Sequence, residues 1–413
     1  MTRTFVGLGF GPIQSGLFLL EAQASGNFER LVVSEISPDI VSAVRSSGGK
    51  VWINVAHHDR VQVRELTGLE IYSPLVPDEI PRLVEAIAEA DEIATALPSV
   101  DFFDRGHPSP STLLALGIQR KLADERRPRA IIYAAENDNR AAEKLRDAVV
   151  SQLSPRDAVR LDEHVVFLNT VIGKMSGLVR DPKQIERDQL ATFIRRTPHA
   201  ILVEQFNRIL ISRISLVDFQ RGIDVFEEKT DLLPFEEAKL YGHNAAHALL
   251  GCLAQRAGIT FVCDSDTSLL QFVQQAFIKE SGGALCERHR GVDPLFTPVG
   301  WTNYALDLST RMVNPYLRDR ADRLVRDPRR KLAWNDRFIG TMRLALEHNI
   351  DPHRYALGAA LAVDQLLRER PATPISFLLN DLWGDDPTAA VVRRRIIRYI
   401  EIATRHCHRL HRD

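Results

Sequence analysis

The chain has 413 residues, of which 45% are hydrophobic and 26% are charged, and its formal net charge is −1. This length predicts two domains, each large enough to bury its own core. The near-neutral charge argues against nucleic acid or an anionic membrane as the main partner, because both favour a strong basic excess. No apolar run approaches the ~20 residues of a membrane helix, and residues 1–5 lead into a predicted strand rather than a signal peptide. We therefore expect a cytoplasmic protein.

The first half of the chain alternates short β-rich runs with helical patterns. Strands are predicted at residues 5–8, 31–35, 51–55, 93–97, 129–135 and 165–168. Helices are predicted between them, at residues 13–22, 38–45, 81–90, 112–125 and 141–152. This alternation indicates right-handed βαβ crossovers and an α/β fold with a Rossmann-type, doubly wound, mostly parallel sheet.

The second half changes character, because amphipathic helices replace the strands. They are predicted at residues 235–257, 268–281, 301–313, 336–347, 352–368 and 388–407. We therefore expect an α/β domain over residues 1–230, followed by an all-helical C-terminal domain over residues 231–413. Residues 201–217 fit either side of that boundary.

The four cysteines are Cys252, Cys263, Cys286 and Cys407. They form no C-x-x-C pair, and none lies within a few residues of the main histidine cluster. The sequence therefore predicts reduced thiols rather than disulfides or a cysteine-rich zinc site.

Glycines follow the first predicted strand and open the first helix. Gly7, Gly9, Gly11 and Ile13 lie where a Rossmann domain turns tightly and approaches a pyrophosphate at a helix N-terminus. Glu35 ends the second strand, roughly 20 residues further on, where an acid binds the adenosine ribose hydroxyls and repels a 2′-phosphate. The pattern predicts NAD as the cofactor. An ordinary βα turn and a solvated glutamate are the alternatives.

A polar helix face in the second half carries residues suited to alcohol oxidation. At 100° per residue, His243, His247 and Asn244 fall about 40°, 80° and 140° from Lys239. A lysine with a pKa lowered by burial can take a hydroxyl proton, and amides can steady the developing alkoxide. Small residues such as Gly242 beside this face leave room for a ligand. The alternative is a solvated polar face.

The spacing Lys-x4-Asn-x2-His within residues 239–258 (KLYGHNAAHALLGCLAQRAG) resembles the catalytic helix of the polyol-specific long-chain dehydrogenases, the mannitol dehydrogenase family. Other segments similar to that family occur in the same order. They are Glu136-Asn137, residues 280–283 (ESGG), residues 311–319 (RMVNPYLRD) and residues 327–332 (DPRRKL), the last of which is more typical of the phosphate-specific branch.

The resemblance implies a zinc-independent, NAD-dependent secondary-alcohol dehydrogenase that interconverts a sugar alcohol, preferably phosphorylated, and its ketose. It implies that Lys239 is the general base, that Asn137 and Asn244 hold the substrate oxygen, and that His247 orients the substrate. Arg311 resembles a substrate-binding arginine. We expect no metal, because no acid or cysteine lies near the two histidines in the sequence. The expected partner is a small molecule, bound by a monomer or small homo-oligomer.

Two departures from the family pattern limit these expectations. Gln14 stands where the family's third glycine aligns, and Gly173 replaces the acid of a Val-Asp-Arg-Ile motif, with Lys174 in place of its arginine. Losing a polar substrate contact changes specificity strongly. An unphosphorylated polyol, a keto-uronate, or a non-catalytic NAD-binding sensor therefore remain alternatives.

Recognition of a phosphate depends on a basic cluster formed by Arg329, Arg330 and Lys331, with Arg337 nearby. Arginine forks suit phosphate oxygens. A solvated charge run at a helix start is an equally good interpretation of the same residues.

Overall fold

The computed structural model describes residues 3–194, 197–384 and 389–409. The chain divides into two compact units, Met1–Leu232 and Leu233–Asp413. Within the described ranges, no helix combines the length and apolar character needed to cross a membrane.

The first unit combines strands with helices. Its strands are β1 (Thr4–Leu8), β2 (Arg30–Ser34), β3 (Val51–Ala56), β4 (Val61–Leu66), β5 (Leu69–Tyr72), β6 (Glu92–Thr95), β7 (Ala130–Ala134), β8 (Val165–Val171), β9 (Ser176–Val179), β10 (Ala200–Glu204), β11 (Leu210–Ser212) and β12 (Glu227–Lys229). Its helices are a π-helical turn (Gln14–Leu19), α1 (Leu20–Ser25), α2 (Pro38–Ser46), α3 (Ile80–Glu89), α4 (Pro110–Ala123), α5 (Ala141–Val150), α6 (Pro155–His164) and α7 (Pro182–Arg187), with short 3₁₀ turns at Pro77–Glu79 and Val100–Phe102.

Among the described residues, eight strands form the main sheet in the order β12-β11-β8-β7-β6-β1-β2-β5. The six strands from β8 to β5 in this order pair in parallel, and β11 pairs with β8 in the antiparallel direction. The strand order reverses between β1 and β6, which is the switch point where α/β sheets bind ligands. The predicted Rossmann-type sheet is confirmed.

The main sheet is covered on both faces because its inner strands are apolar on both sides. On β1, Phe5 packs in one core cluster with the first helical turn, and Val6 and Leu8 pack in the other with α3 and α4. Strands buried on both faces appear in a sequence as continuous apolar runs. This is why β1, β2 and β7 could be predicted.

A second sheet of the first unit has the order β4-β3-β10-β9. The predicted strand at residues 51–55 belongs to this sheet, and residues 201–217 lie in the first unit, where they include β10 and β11. A Cβ atom at Gly16 would overlap the Val203 side chain of β10. Glycine at this position therefore lets the first helical turn pack closely against the second sheet.

The second unit is helical in its described part, apart from one β-bridge between Phe261 and Arg320. Its helices are α8 (Leu233–Glu237), a π-helical turn (Ala238–His243), α9 (Asn244–Arg256), α10 (Thr267–Gln275), a π-helical turn (Ala276–Gly282), α11 (Gly283–Arg288), α12 (Pro298–Met312), α13 (Ala321–Leu324), α14 (Pro328–Lys331), α15 (Ile339–Glu347), α16 (His353–Leu367), α17 (Ile375–Trp383) and α18 (Ala390–Arg409), with 3₁₀ turns at Val262–Asp264 and Pro294–Phe296. The helical character predicted for this half is confirmed. Helix α17 was not predicted, and Thr388, where the last helix was expected to begin, lies outside the described residues.

Candidate active site

A cavity of about 640 Å³ opens in the first unit at the carboxyl ends of β1, β2 and β6. Most of its lining is apolar. Four of the five residues predicted to bind the cofactor line it, namely Gly9, Gly11, Ile13 and Glu35. The cavity lies at the sheet's switch point, as expected for a dinucleotide site.

Gly9 has a positive φ of 87°, and a Cβ there would lie 3.0 Å from the Ala96 carbonyl oxygen. A side chain at this position would therefore be strained and crowded. Gly11 faces open space, since no atom lies within 4 Å of its Cβ position. This glycine turn leaves the backbone accessible to a ligand in the cavity.

Gly7 has a different role from the predicted one. It is buried within β1 and does not line the cavity. A Cβ at Gly7 would overlap the Gln14 side chain, which is itself fully buried. In this contact between β1 and the first helical turn, the small residue is therefore Gly7 on the strand. The helix carries the larger Gln14, at the position where the family's third glycine aligns.

Glu35 directly follows β2 and is the acid in the cavity lining. Its Oε1 accepts a hydrogen bond of 2.7 Å from the Ser37 amide, which fixes the carboxylate at the sheet edge. A carboxylate there can accept hydrogen bonds from the two hydroxyls of an adenosine ribose. The cavity therefore fits a dinucleotide by its glycine turn and by its acid.

Glu136 contributes to the same edge in a way that the sequence did not predict. Its side chain is buried, accepting hydrogen bonds from Thr95 Oγ1 at 2.9 Å and from the Leu97 amide at 2.8 Å. Burial raises the pKa of Glu136 to about 7. It joins the ends of β6 and β7, and so supports both Leu97 in the cavity wall and the predicted catalytic Asn137, which is exposed after β7.

Lys174 is 7% exposed, and its Nζ donates a 2.8 Å hydrogen bond to the Phe206 carbonyl oxygen. The ammonium group is therefore engaged within the first unit. This geometry gives a structural role to a residue that was predicted to bind substrate.

Lys239 lies in the π-helical turn between α8 and α9. Burial lowers its pKa to about 8, the charge of Arg337 lowers it further, and Glu236 opposes both effects. The Asn244 amide donates to the Lys239 carbonyl oxygen, which is the i to i−5 bond of a π-helix. Because of this bond, the angle between Lys239 and Asn244 around the helix axis is smaller than the 140° of an ideal α-helix.

His243 and His247 follow on the same helical run, with ring centroids 6.1 Å apart. Burial lowers the pKa of His243 well below its ordinary value, and the positive charges of Arg311, Lys239 and Arg337 act in the same direction. His243 is therefore neutral at physiological pH. Among the described residues, no three histidine, cysteine or acidic side chains gather as metal ligands.

Arg311 lies near the end of α12 with its side chain 13% exposed, and Arg337 precedes α15 with its side chain 14% exposed. Both guanidinium groups lower the pKa of His243 through their charge, so both lie within electrostatic reach of the Lys239 helix. Arg311 was predicted as a site residue. Arg337 had appeared only as a possible neighbour of the phosphate-binding cluster.

The structure does not support a phosphate pocket built from Arg329 and Lys331. Lys331 is 4% exposed, and its Nζ donates to the Arg326 carbonyl oxygen. Burial lowers its pKa to about 8. Arg329 is exposed on the short helix α14. The sequence did not show that this charged residue of a basic run turns inward.

The space expected beside Gly242 is also filled. A Cβ at Gly242 would lie 2.9 Å from Phe277 and 3.0 Å from Trp301. Glycine at this position admits two aromatic rings rather than a ligand.

The comparison with known families concerns the second unit. Residues 231–372 match the family model described as the mannitol dehydrogenase C-terminal domain. The family resemblance is thereby confirmed for this part of the chain, which contains Lys239, Asn244, His247 and Arg311.

Two solved structures are similar over nearly the whole chain. One is a D-sorbitol dehydrogenase in substrate-free form, with 13% identity, a TM-score of 0.75, and coverage of 97% of this chain and 93% of that chain. The other is Pseudomonas fluorescens mannitol 2-dehydrogenase in a ternary complex with NAD and D-mannitol, with 13% identity, a TM-score of 0.69, and coverage of 98% and 91%. At this identity the likeness establishes the fold.

Proposed function

We propose that this chain is an NAD-dependent secondary-alcohol dehydrogenase that interconverts a sugar alcohol and its ketose. The observation that carries the proposal is the state of Lys239. Burial lowers the pKa of this lysine to about 8, and the lysine lies on a helix within the residues that match the mannitol dehydrogenase C-terminal domain. A lysine with this pKa exchanges protons near neutral pH, as a general base or acid requires.

Gly9, Gly11 and Glu35 would hold the cofactor in the cavity of the first unit. When bound, NAD supplies the acceptor for the hydride that leaves the carbinol carbon. Glu35 would accept hydrogen bonds from the adenosine ribose, and its charge would disfavour the 2′-phosphate of NADP.

Lys239 Nζ would take the hydroxyl proton during oxidation and return it during reduction. The side-chain amide of Asn244 would donate a hydrogen bond to the substrate oxygen, whose negative charge grows as hydride departs. The family resemblance gives Asn137 the same task, and it gives His247 and Arg311 the task of orienting the substrate.

The substrate that we favour is a polyol phosphate, and the resemblance is greatest to mannitol-1-phosphate 5-dehydrogenase. With Lys331 turned inward, the charges suited to an anionic group are those of Arg311 and Arg337. The same pair suits the carboxylate of a keto-uronate, which is the second candidate.

The test is NADH oxidation with a panel of ketoses, ketose phosphates and keto-uronates, measured for the wild type and for Lys239→Ala. Turnover by the wild type and a loss of about 10²- to 10⁴-fold in the variant would support the proposal. Saturable NADH binding without turnover of any compound would instead favour a non-catalytic NAD-binding sensor.

The binding of an anionic substrate group is tested with Arg337→Ala. The control is Arg329→Ala, because Arg329 is exposed. We expect the first variant to raise KM for the phosphorylated or acidic substrate about 10-fold or more, because a hydrogen bond to a charged group is lost. The control should leave KM unchanged. Equal KM values for phosphorylated and free ketoses would contradict the anionic assignment.

A further inference from the structure

Asp319 forms a buried pair with the predicted substrate-orienting histidine. His247 Nε2 lies 3.2 Å from Asp319 Oδ2, and the two side chains are 13% and 7% exposed. Arg323 donates two hydrogen bonds of 2.6 Å to the same carboxylate, one to each oxygen. Burial opposes the ionisation of Asp319, but the adjacent His247 and the hydrogen bonds from Arg323 outweigh it and lower the pKa of Asp319. The carboxylate is therefore ionised at neutral pH.

The backbone around Asp319 is fixed independently of this pair. Arg318 has a φ of 46°, which non-glycine residues rarely adopt. Its guanidinium lies 4.0 Å over the Phe261 ring, the Val262 amide donates to the Asp319 carbonyl oxygen at 2.9 Å, and the Ala321 amide donates to Thr260. The segment is thus held on both sides of Asp319, so the carboxylate does not depend on His247 for its place.

A carboxylate beside one imidazole nitrogen keeps the proton of a neutral ring on that nitrogen. For His247 the nitrogen is Nε2, which leaves Nδ1 as an acceptor. An acceptor selects a hydroxyl, because ionised phosphate and carboxylate oxygens have no proton to donate.

We propose that Asp319 is a positioning residue that fixes His247 as the Nε2–H tautomer, so that Nδ1 accepts a hydrogen bond from a substrate hydroxyl. This inference rests on the proposed function, which makes His247 a substrate-binding residue. It assigns the polyol hydroxyl to His247 and leaves an anionic group of the substrate to the arginines.

The first test is ¹⁵N NMR of the histidine rings in the full chain, with the His247 signals assigned by their loss in His247→Gln. We expect a protonated Nε2 and an unprotonated Nδ1 in the wild type. In Asp319→Asn, Arg323 requires an acceptor, so the new amide oxygen turns to Arg323 and its NH₂ faces His247. The tautomer should therefore reverse. A wild-type Nδ1–H form, or a tautomer unchanged in the variant, would overturn the proposal.

The second test compares kinetics for Asp319→Asn with those for Asp322→Asn, a control in the same segment whose side chain is 50% exposed. Asp319→Asn should lower kcat/KM for the ketose roughly 10- to 100-fold, with unchanged NADH affinity. The double variant His247→Gln/Asp319→Asn should lose no more than His247→Gln alone, because the two residues act as one unit. Additive losses, or a lowered Tm with unchanged kinetics, would show that Asp319 is only structural.

The two tests separate this inference from the proposed function. If the wild type turns over no ketose, the proposed function fails, while the NMR experiment still decides whether Asp319 sets the tautomer of His247.

Discussion

At the scale of single residues, the site depends on how burial changes the pKa values of its side chains. Lys239 loses hydration when it is buried, so its charged form is destabilised and its pKa falls to about 8. Glu236 limits this fall by attraction, and Arg337 adds to it by repulsion. The balance places the lysine where a proton moves readily in either direction near neutral pH.

This balance predicts the pH dependence of both reaction directions. Oxidation needs the neutral amine, so kcat/KM for the polyol should rise with pH up to about 8 and then level off. Reduction needs the ammonium form and should decline above the same pH. Steady-state rates in both directions between pH 6 and 10 are the measurement. Profiles that do not change between pH 7 and 9 would exclude Lys239 as the titrating group.

The same shift predicts a pH-dependent stability. The pKa of Lys239 is about 8 in the folded chain and roughly 10.4 in the unfolded chain, so the unfolded state binds more protons between these values. The free energy of unfolding of the wild type should therefore rise with pH in this window, relative to Lys239→Met. Urea unfolding of both proteins at pH 7.5 and 9.5 measures this change. A difference in free energy of unfolding that is the same at both pH values would contradict the lowered pKa of Lys239.

Glu35 predicts the cofactor preference. In Glu35→Gln, the loss of a charged acceptor should weaken NADH binding about 10-fold and reduce the discrimination against NADPH. Asp39→Asn is the control, because Asp39 is exposed on α2 and does not line the cavity. Fluorescence titration with both cofactors measures the effect. An unchanged preference for NADH would mean that Glu35 does not contact the ribose.

At the scale of elements, tight aromatic packing holds the second unit's helices together. Trp301 of α12 donates its indole N–H to the Phe277 carbonyl oxygen at 2.9 Å. A Cβ at Gly242 or Gly282 would meet the same indole ring. Glycines from two π-helical turns therefore enclose Trp301, and one of those turns carries Lys239.

Gly282 and its neighbour Gly283 provide a matched pair of substitutions. Gly282→Ala overlaps Trp301 and should lower the free energy of unfolding by about 1–3 kcal/mol, despite the better helix propensity of alanine. Gly283→Ala meets only the end of the flexible Ile350 side chain, at 2.9 Å, and should be neutral or slightly stabilising. Denaturant unfolding of both variants is the measurement. Equal stabilities would show that the packing around Trp301 relaxes freely.

At the scale of the whole molecule, the chemistry proposed here needs no metal, because Lys239 supplies the base. Dialysis against EDTA should therefore leave turnover within experimental error of the untreated enzyme. The control is added Zn²⁺, which should not raise the rate of the dialysed sample. Loss of activity with EDTA and recovery with a divalent cation would contradict a lysine-based mechanism.

The fold was predictable where the sequence carries a regular signal. The apolar runs of β1, β2 and β7 and the amphipathic helices of the second unit other than α17 were predicted correctly. Strands such as β4 and β12 were missed because β4 is an edge strand with an exposed, charged face and β12 has only three residues. The π-helical turns were missed because a period of 3.6 residues per turn describes only α-helices.

The candidate site was predictable where one local segment carries it, as in the run from Lys239 to His247. It was not predictable where long-range packing decides the role of a side chain. Lys331 belongs to a basic run, and only the fold turns it inward. Asp319 is held by Arg323 and by the Val262 amide, and only the fold brings it beside His247.

The pairing of β3 with β10 has a consequence for the synthesis of the chain on the ribosome. Asn54 Nδ2 donates to the Ile201 carbonyl oxygen across 147 positions of sequence. At ordinary translation rates, β3 therefore waits roughly 7 to 30 s for its partner strand to be made. During that time the backbone of β3 is paired in the hairpin with β4, whose residues Gln62, Arg64 and Glu65 are exposed and polar. Such residues discourage other nascent chains from pairing with the β4 edge of the hairpin.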